Sequence, residues 1–121
     1  MFGAPDLSRH AVLVVEDDYF LASDLIGALQ DAGAKVIGPY ASETAALKAL
    51  TLEAPTTAVI DLNLGGGFPQ FGIARELRAR GIPFHLLTGY ESDAIPDDLA
   101  LARRFRKPVD FGELAKALAE L

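Results

Sequence analysis

The sequence contains no cysteine, so it can form neither disulfide bonds nor a cysteine-ligated metal site. No apolar run approaches the roughly 20 residues that span a membrane, and residues 1–11 lack the apolar segment of a signal peptide. Positive charge is not in excess either: the formal net charge is -6, which argues against binding to duplex DNA or to an anionic membrane. We therefore expect a cytoplasmic protein that binds neither nucleic acid nor membrane.

What the chain does contain is typical of a globular protein. Its 121 residues are 50% hydrophobic and 23% charged, enough to bury a core without covalent staples. Residues 1–9 include Gly3, Pro5 and Ser8 and show no periodicity. The sequence predicts a single domain over residues 1–121, with residues 1–9 as an N-terminal tail.

Short apolar strands alternate with helical patterns along the chain. The predicted strands cover residues 11–15, residues 36–37 (stopped by Gly38-Pro39), residues 57–61, residues 84–87 and a brief segment around Phe105. Four predicted helices follow from apolar positions at helical spacing. The first has Leu21, Leu25, Ala28, Leu29 and Ala32 and ends at Gly33; the second begins at the N-cap Ser42 and has Leu47 and Leu50; the third has Ile73, Ala74 and Leu77. The last has Phe111, Leu114, Ala115, Leu118 and Leu121, and it begins at Asp110, which has capping-box spacing to Glu113. Residues 91–102, interrupted by Pro96, predict only a weak or abbreviated helix. This alternation predicts an α/β fold: a doubly wound, five-stranded parallel sheet covered on both faces.

Polar residues stand at the C-terminal ends of these strands. Asp61 ends the third strand, and alone it would be an ordinary turn residue. Glu16 and Asp17 follow the first strand, Thr88 the fourth, and Lys107 the fifth. Because open α/β sheets bind ligands at this edge, we expect the five side chains to converge on one site.

Three carboxylates so close together repel one another unless a cation neutralises them. With oxygen ligands only, the expected ion is hard, such as Mg²⁺. A carboxylate, a divalent metal, a hydroxyl and an ammonium group together suit phosphoryl transfer, in which Asp61 attacks phosphorus, Lys107 offsets oxygen charge and Thr88 donates a hydrogen bond.

Four motifs carry a resemblance that extends over nearly the whole chain. They are Leu13-Val14-Val15-Glu16-Asp17-Asp18, Ile60-Asp61-Leu62-Asn63-Leu64, Leu87-Thr88-Gly89 and Lys107-Pro108. In this order and at strand ends, they resemble those of receiver domains of two-component response regulators. The resemblance implies a flavodoxin-like receiver fold with strand order 2-1-3-4-5.

The resemblance also implies roles for individual residues. Asp61 matches the phospho-acceptor, Glu16 and Asp17 the acidic pair that holds Mg²⁺, and Asn63 the residue whose backbone carbonyl completes the metal site. Thr88 matches the switch hydroxyl and Lys107 the lysine that contacts the acyl phosphate, with a cis peptide bond expected before Pro108. Asp18 we assign instead to the start of the first helix.

The implied activity is signalling. A histidine kinase or a histidine phosphotransfer protein would donate the phosphoryl group. The domain would then either switch the binding of a downstream protein, through repacking between the fourth and fifth helices, or relay the phosphoryl group onward in a phosphorelay. The domain would catalyse its own phosphorylation and autodephosphorylation without acting as an enzyme on a separate metabolite. The chain could be a stand-alone receiver or a piece of a larger regulator or hybrid kinase.

The sequence departs from the common receiver pattern at two places. Gly65-Gly66-Gly67-Phe68 fills a long loop after Asp61, and Arg104 occupies the position of the usual switch aromatic. Tyr90 is our candidate substitute. Its Thr88-Gly89-Tyr90 turn resembles a subgroup of alphaproteobacterial receivers, often stand-alone, although Leu86-Leu87 replace that subgroup's Phe-Ala.

Other interpretations remain open at this stage. An Asp-nucleophile phosphatase usually has a second acidic residue two positions after the nucleophile, where this chain has Asn63. A flavodoxin-like protein-binding module would leave Asp61 unmodified. We expect no metal or phosphoryl role for His10 and His85. Arg103, Arg104 and Arg106 are expected to protect an edge strand rather than to bind nucleic acid.

Overall fold

The computed structural model describes residues 4–64, 69–89 and 95–121. The strands are β1 (Ala11–Val15), β2 (Lys35–Tyr40), β3 (Thr57–Asp61), β4 (Phe84–Thr88) and β5 (Arg103–Arg106). The helices are α1 (Tyr19–Asp31), α2 (Glu43–Ala49), α3 (Gly72–Ala79) and α4 (Phe111–Ala119), with a 3-10 helix at Asp97–Leu99. All strand pairs are parallel, in the order β2-β1-β3-β4-β5. The predicted doubly wound, flavodoxin-like sheet is thereby confirmed.

Helices pack on both faces of the sheet through apolar side chains. Because successive strand residues point to opposite faces, Leu13 and Val15 join one apolar cluster while Val12 and Val14 join the other. Helices α2 and α3 contribute to the first cluster, and α1 and α4 contribute to the second. The strands are apolar on both sides because helices cover both faces of the sheet.

The predicted helix ends of α1 and α2 are confirmed. Asp18 caps α1 by accepting hydrogen bonds from the backbone amides of Phe20 and Leu21. Gly33, at a φ of 97°, follows the end of α1, where a left-handed residue favours glycine. Ser42 caps α2 through the Ala45 amide.

Two predictions about element ends were wrong. Strand β2 does not stop at Gly38-Pro39 but continues to Tyr40, with a register shift opposite Leu13 and Val15. This is possible because β2 is an edge strand, where a proline need not donate a ladder hydrogen bond. Leu121 does not face the core: α4 ends at Ala119 with Glu120 as C-cap, leaving Leu121 40% exposed.

The N-terminal segment and the segment before β5 lack long regular elements. Residues 4–9 form no helix or strand, yet Leu7 is fully buried and its amide donates to the Ala32 carbonyl. In the described part of the predicted weak helix, residues 95–102, only the three-residue 3-10 helix forms. Arg75 of α3 holds this segment through an ion pair with Asp98, at 3.0 Å. Among the described helices, none has the length and apolar composition to cross a bilayer.

Helix α3 begins without a side-chain cap of its own. Its N-cap residue, Phe71, accepts no capping hydrogen bond through its side chain. Instead, the Ile73 amide donates to Oε2 of Glu43, the first residue of α2, at 3.1 Å. The start of α3 is therefore tied to the neighbouring helix.

Candidate functional site

The sheet topology brings the predicted acidic residues together. Glu16 and Asp17 directly follow β1, and Asp61 is the last residue of the adjacent strand β3. One carboxylate oxygen from each of these three residues lies within 4.8 Å of the others. Asp61 and Glu16 are almost fully buried, at 1% and 2% exposure, whereas Asp17 is exposed. The site is thus a carboxylate cluster that opens to solvent on the Asp17 side.

Lys107 brings a positive charge to this cluster. Its Nζ lies 3.1 Å from Oδ2 of Asp61 and 3.3 Å from Oε1 of Glu16. Burial alone lowers the pKa of Lys107, but the two carboxylates outweigh this effect and raise its pKa above the usual value. The ammonium group is therefore protonated at neutral pH and lies between the two buried carboxylates.

A backbone hydrogen bond places Lys107 beside the end of β4. Its amide donates a 2.8 Å hydrogen bond to the carbonyl of Thr88, the last residue of β4. The Lys107-Pro108 peptide bond is cis, as expected. Thr88 itself is buried, and it lies one residue beyond Leu87, the register partner of Asp61. Thr88 and Lys107 therefore lie at the same sheet edge as the carboxylates.

Glu16 is the most strongly perturbed group of the site. Its Oε2 accepts a hydrogen bond from the Asp18 amide at 3.1 Å. Burial raises the pKa of Glu16 to about 7, the Asp61 carboxylate adds to the rise, and the Asp18 amide and Lys107 oppose it. Glu16 and Asp61 thus share the ammonium group of Lys107.

A divalent cation fits this donor set. Carboxylate oxygens of Glu16, Asp17 and Asp61 lie within 4.8 Å of one another, and Lys107 contacts two of these residues, Glu16 and Asp61. Hard oxygen ligands of this kind suit Mg²⁺, which commonly binds a few carboxylates and keeps several waters. The residues present are therefore compatible with a Mg²⁺ site.

Asn63 makes one contact that the sequence did not predict. Its backbone amide donates a 3.0 Å hydrogen bond to Oδ1 of Asp61, which leaves Oδ2 to Lys107. An aspartate that accepts from the amide two residues later is a common turn contact, so the Asp-Leu-Asn spacing was an available signal. The two oxygens of Asp61 are thus each held by a different donor.

Of the remaining switch candidates, Arg104 lies within the described residues and Tyr90 does not. Arg104 is exposed on β5, an edge strand, in register with Leu86 of β4. Tyr90 and the Gly65-Gly66-Gly67-Phe68 loop lie outside the described residues. His10 and His85 are buried; His10 Nδ1 lies 2.9 Å from the Thr56 hydroxyl.

No model of a known protein family matches the sequence, and no curated protein matches it. Solved structures do match. The BeF3-activated conformation of SdrG from Pseudomonas melonis Fr1 is 30% identical, with 94% of this chain and 95% of SdrG covered and a TM-score of 0.76. The PhyR response regulator REC domain of Erythrobacter litoralis is 19% identical, with 98% and 92% covered and a TM-score of 0.77.

A longer PhyR structure gives the same fold. The response regulator PhyR from Brucella abortus is 22% identical with a TM-score of 0.75; the match covers 90% of this chain but only 45% of PhyR. This chain therefore spans less than half the length of that protein. The 30% identity to SdrG over 95% of that structure, the sheet order and the strand-end carboxylate cluster together give one conclusion: the chain belongs to the receiver domains of response regulators.

Proposed function

We propose that the domain accepts a phosphoryl group from a phosphohistidine onto Asp61 and thereby switches the binding of a protein partner. The observation that carries the proposal is the environment of Asp61, a buried carboxylate held by the Asn63 amide on one oxygen and by Lys107 on the other. The donor would be a histidine kinase or a histidine phosphotransfer protein. The domain would promote its own phosphorylation and dephosphorylation and act on no separate metabolite.

The residues of the site divide the chemistry among them. Mg²⁺ would be held by Glu16, Asp17, Asp61 and the backbone carbonyl of Asn63, and when bound it would offset charge on the phosphoryl oxygens. An Asp61 carboxylate oxygen forms the new O–P bond as the N–P bond of the phosphohistidine breaks. The electron pair of that bond stays on the imidazole nitrogen of the donor. Lys107 then pairs with the added phosphoryl oxygens as a point charge.

The response of the domain would begin at the same edge. Converting Asp61 to an acyl phosphate adds oxygen acceptors beside Thr88 and Lys107, which biases the position of both groups. Because the Lys107 amide is hydrogen-bonded to the Thr88 carbonyl, the ends of β4 and β5 respond together. The partner would therefore bind where the segment before β5 and helix α4 meet the sheet.

The test is phosphorylation by small donors. Wild type and Asp61→Asn are incubated with acetyl phosphate, or with phosphoramidate as an N–P donor, in the presence of Mg²⁺ and then weighed by intact mass spectrometry. We expect one phosphoryl adduct on the wild type, and none on Asp61→Asn or on the wild type treated with a chelator. The absence of an adduct with both donors would contradict the proposal and would favour a binding module in which Asp61 is not modified.

A further inference from the structure

Glu43 and Gly72 form a close contact between the first residues of α2 and α3. Oε2 of Glu43 accepts the Ile73 amide at 3.1 Å, in a partly buried position. A Cβ atom at position 72 would lie 2.6 Å from Oε1 of Glu43, closer than non-bonded atoms approach. The Glu43 carboxylate therefore occupies the space that a side chain at position 72 would take, and an alanine there would force the carboxylate to move.

From this contact, the covalent chain and two further hydrogen bonds lead to the carboxylate cluster. Just before α3, the Gln70 amide donates to the Leu62 carbonyl at 3.0 Å. Leu62 directly follows Asp61, and the next residue, Asn63, donates its amide to Oδ1 of Asp61. The described ends of the β3–α3 connection are thus fastened to each other at Leu62 and Gln70. Near its α3 end, the connection is fastened to α2 by Glu43.

We propose that Glu43 is a positioning residue for the site around Asp61. By fixing the start of α3, its carboxylate holds the main chain of Leu62 and Asn63, and through Asn63 the orientation of Asp61. Gly72 permits this contact, because a glycine at this position leaves room for the Glu43 carboxylate. The kinetic part of this proposal rests on the proposed function, whereas its structural part does not.

Glu43→Ala removes the carboxylate that accepts a hydrogen bond from the Ile73 amide, so this amide loses that hydrogen bond. We expect adduct formation from acetyl phosphate to slow by about tenfold and to require more Mg²⁺, as is typical when an outer residue that orients a metal ligand is lost. Glu43→Gln keeps a carbonyl oxygen at the same place, so it should retain a rate close to that of wild type. Glu53→Ala is the matched control, because Glu53 follows α2 and its carboxylate pairs with Lys35 of β2.

Gly72→Ala separates positioning from stability. Its new Cβ displaces the carboxylate, so the rate should fall as in Glu43→Ala. Glycine-to-alanine replacement stabilises a protein only where the new side chain fits, so urea unfolding of Gly72→Ala is measured beside the rate to show that the slower variant is still folded. Gly27→Ala is the control, since a Cβ at that helical position meets no atom within 4 Å. The double variant Glu43→Ala/Gly72→Ala should be no slower than either single variant, because both remove one contact.

Amide hydrogen exchange of the unphosphorylated protein tests the structural part. In Glu43→Ala and Gly72→Ala, exchange should accelerate at Ile73, Gln70 and Asn63, and the Glu43→Gln and control variants should match wild type. Unchanged exchange at Gln70 and Asn63 would overturn the proposal whether or not the wild type is phosphorylated. With a phosphorylated wild type, unchanged rates in Glu43→Ala and Gly72→Ala, additive effects in the double variant, or a slow Glu43→Gln would also overturn it.

Discussion

At the scale of single residues, the two oxygens of Asp61 differ in their surroundings. Oδ1 accepts a hydrogen bond from the neutral backbone amide of Asn63, whereas Oδ2 lies 3.1 Å from the charged Nζ of Lys107. Lys107 also lies 3.3 Å from Glu16, so one ammonium group serves two buried carboxylates. An incoming phosphoryl group would compete with Glu16 for Lys107, and this competition would couple modification of Asp61 to the rest of the cluster.

His85 is a second buried polar residue, on the face of the sheet that α4 covers. Its ring packs edge-on against Phe105 at a centroid distance of 5.5 Å. Neither ring nitrogen makes a well-formed hydrogen bond among the described residues, and a backbone acceptor lies on the α4 side, at Ala117. Burial lowers the pKa of His85 below its usual value of 6.5, and the charge of Arg103 on β5 adds to this. The Ala117 backbone and the Glu120 carboxylate, both from the α4 side, oppose the shift without reversing it.

This depressed pKa makes His85 a source of acid sensitivity. The unfolded chain binds a proton at this residue more readily than the folded protein, so the free energy of unfolding falls as the pH drops below about 6.5. His85→Phe keeps a ring against Phe105 and removes the titration. We expect urea unfolding to show that its stability, relative to wild type, increases from about pH 7.5 to about pH 5.5. Parallel pH profiles for the two proteins would contradict this assignment.

At the scale of elements, the N-terminal segment acts as part of the core although it has no regular secondary structure. Leu7 is 0% exposed and packs in the same apolar cluster as Leu25 and Leu29 of α1 and Leu118 of α4. Its amide hydrogen bond to the Ala32 carbonyl holds the segment at the end of α1. The segment therefore closes one edge of the α1–α4 layer.

Leu7→Ala should accordingly be strongly destabilising. Loss of a fully buried leucine side chain costs about 2–5 kcal/mol of unfolding free energy, because it removes apolar burial and leaves a cavity. The matched control is Leu52→Ala, the same change at a side chain that is 82% exposed, for which we expect a change within about 0.5 kcal/mol. Urea unfolding measures both variants, and equal stabilities would show that the segment contributes nothing to the core.

Element ends were predictable where the signal is local and not where it depends on a distant neighbour. The caps at Asp18 and Ser42 and the stop at Gly33 were predicted because each contact lies within three residues or so along the chain. The continuation of β2 past Pro39 was missed because it depends on β2 lying at the edge of the sheet. The burial of Leu7 was missed because a single leucine among polar and small residues shows no period.

At the scale of the whole molecule, the alternation of strands and helices predicted the parallel sheet, and the resemblance supplied its order. Because the carboxyl ends of parallel strands lie along one edge of the sheet, the five side chains at those ends were predicted together: Glu16, Asp17, Asp61, Thr88 and Lys107. The contacts within the site were less accessible. The Glu43 contact with Ile73 joins residues 30 positions apart, and in the sequence Glu43 looks like an ordinary acidic residue of a first helical turn.

The central claim is that Asp61, and no other residue of the cluster, carries the phosphoryl group. The most direct test is to phosphorylate the wild-type protein with Mg²⁺ and acetyl phosphate, reduce the acyl phosphate with borohydride, and locate the reduced residue by peptide mass spectrometry. We predict homoserine in place of aspartate at position 61, and no reduced residue in the sample without a phosphodonor. Reduction at Asp17 or Glu16 instead, or a phosphoryl group that resists borohydride on a hydroxyl or histidine, would contradict the account.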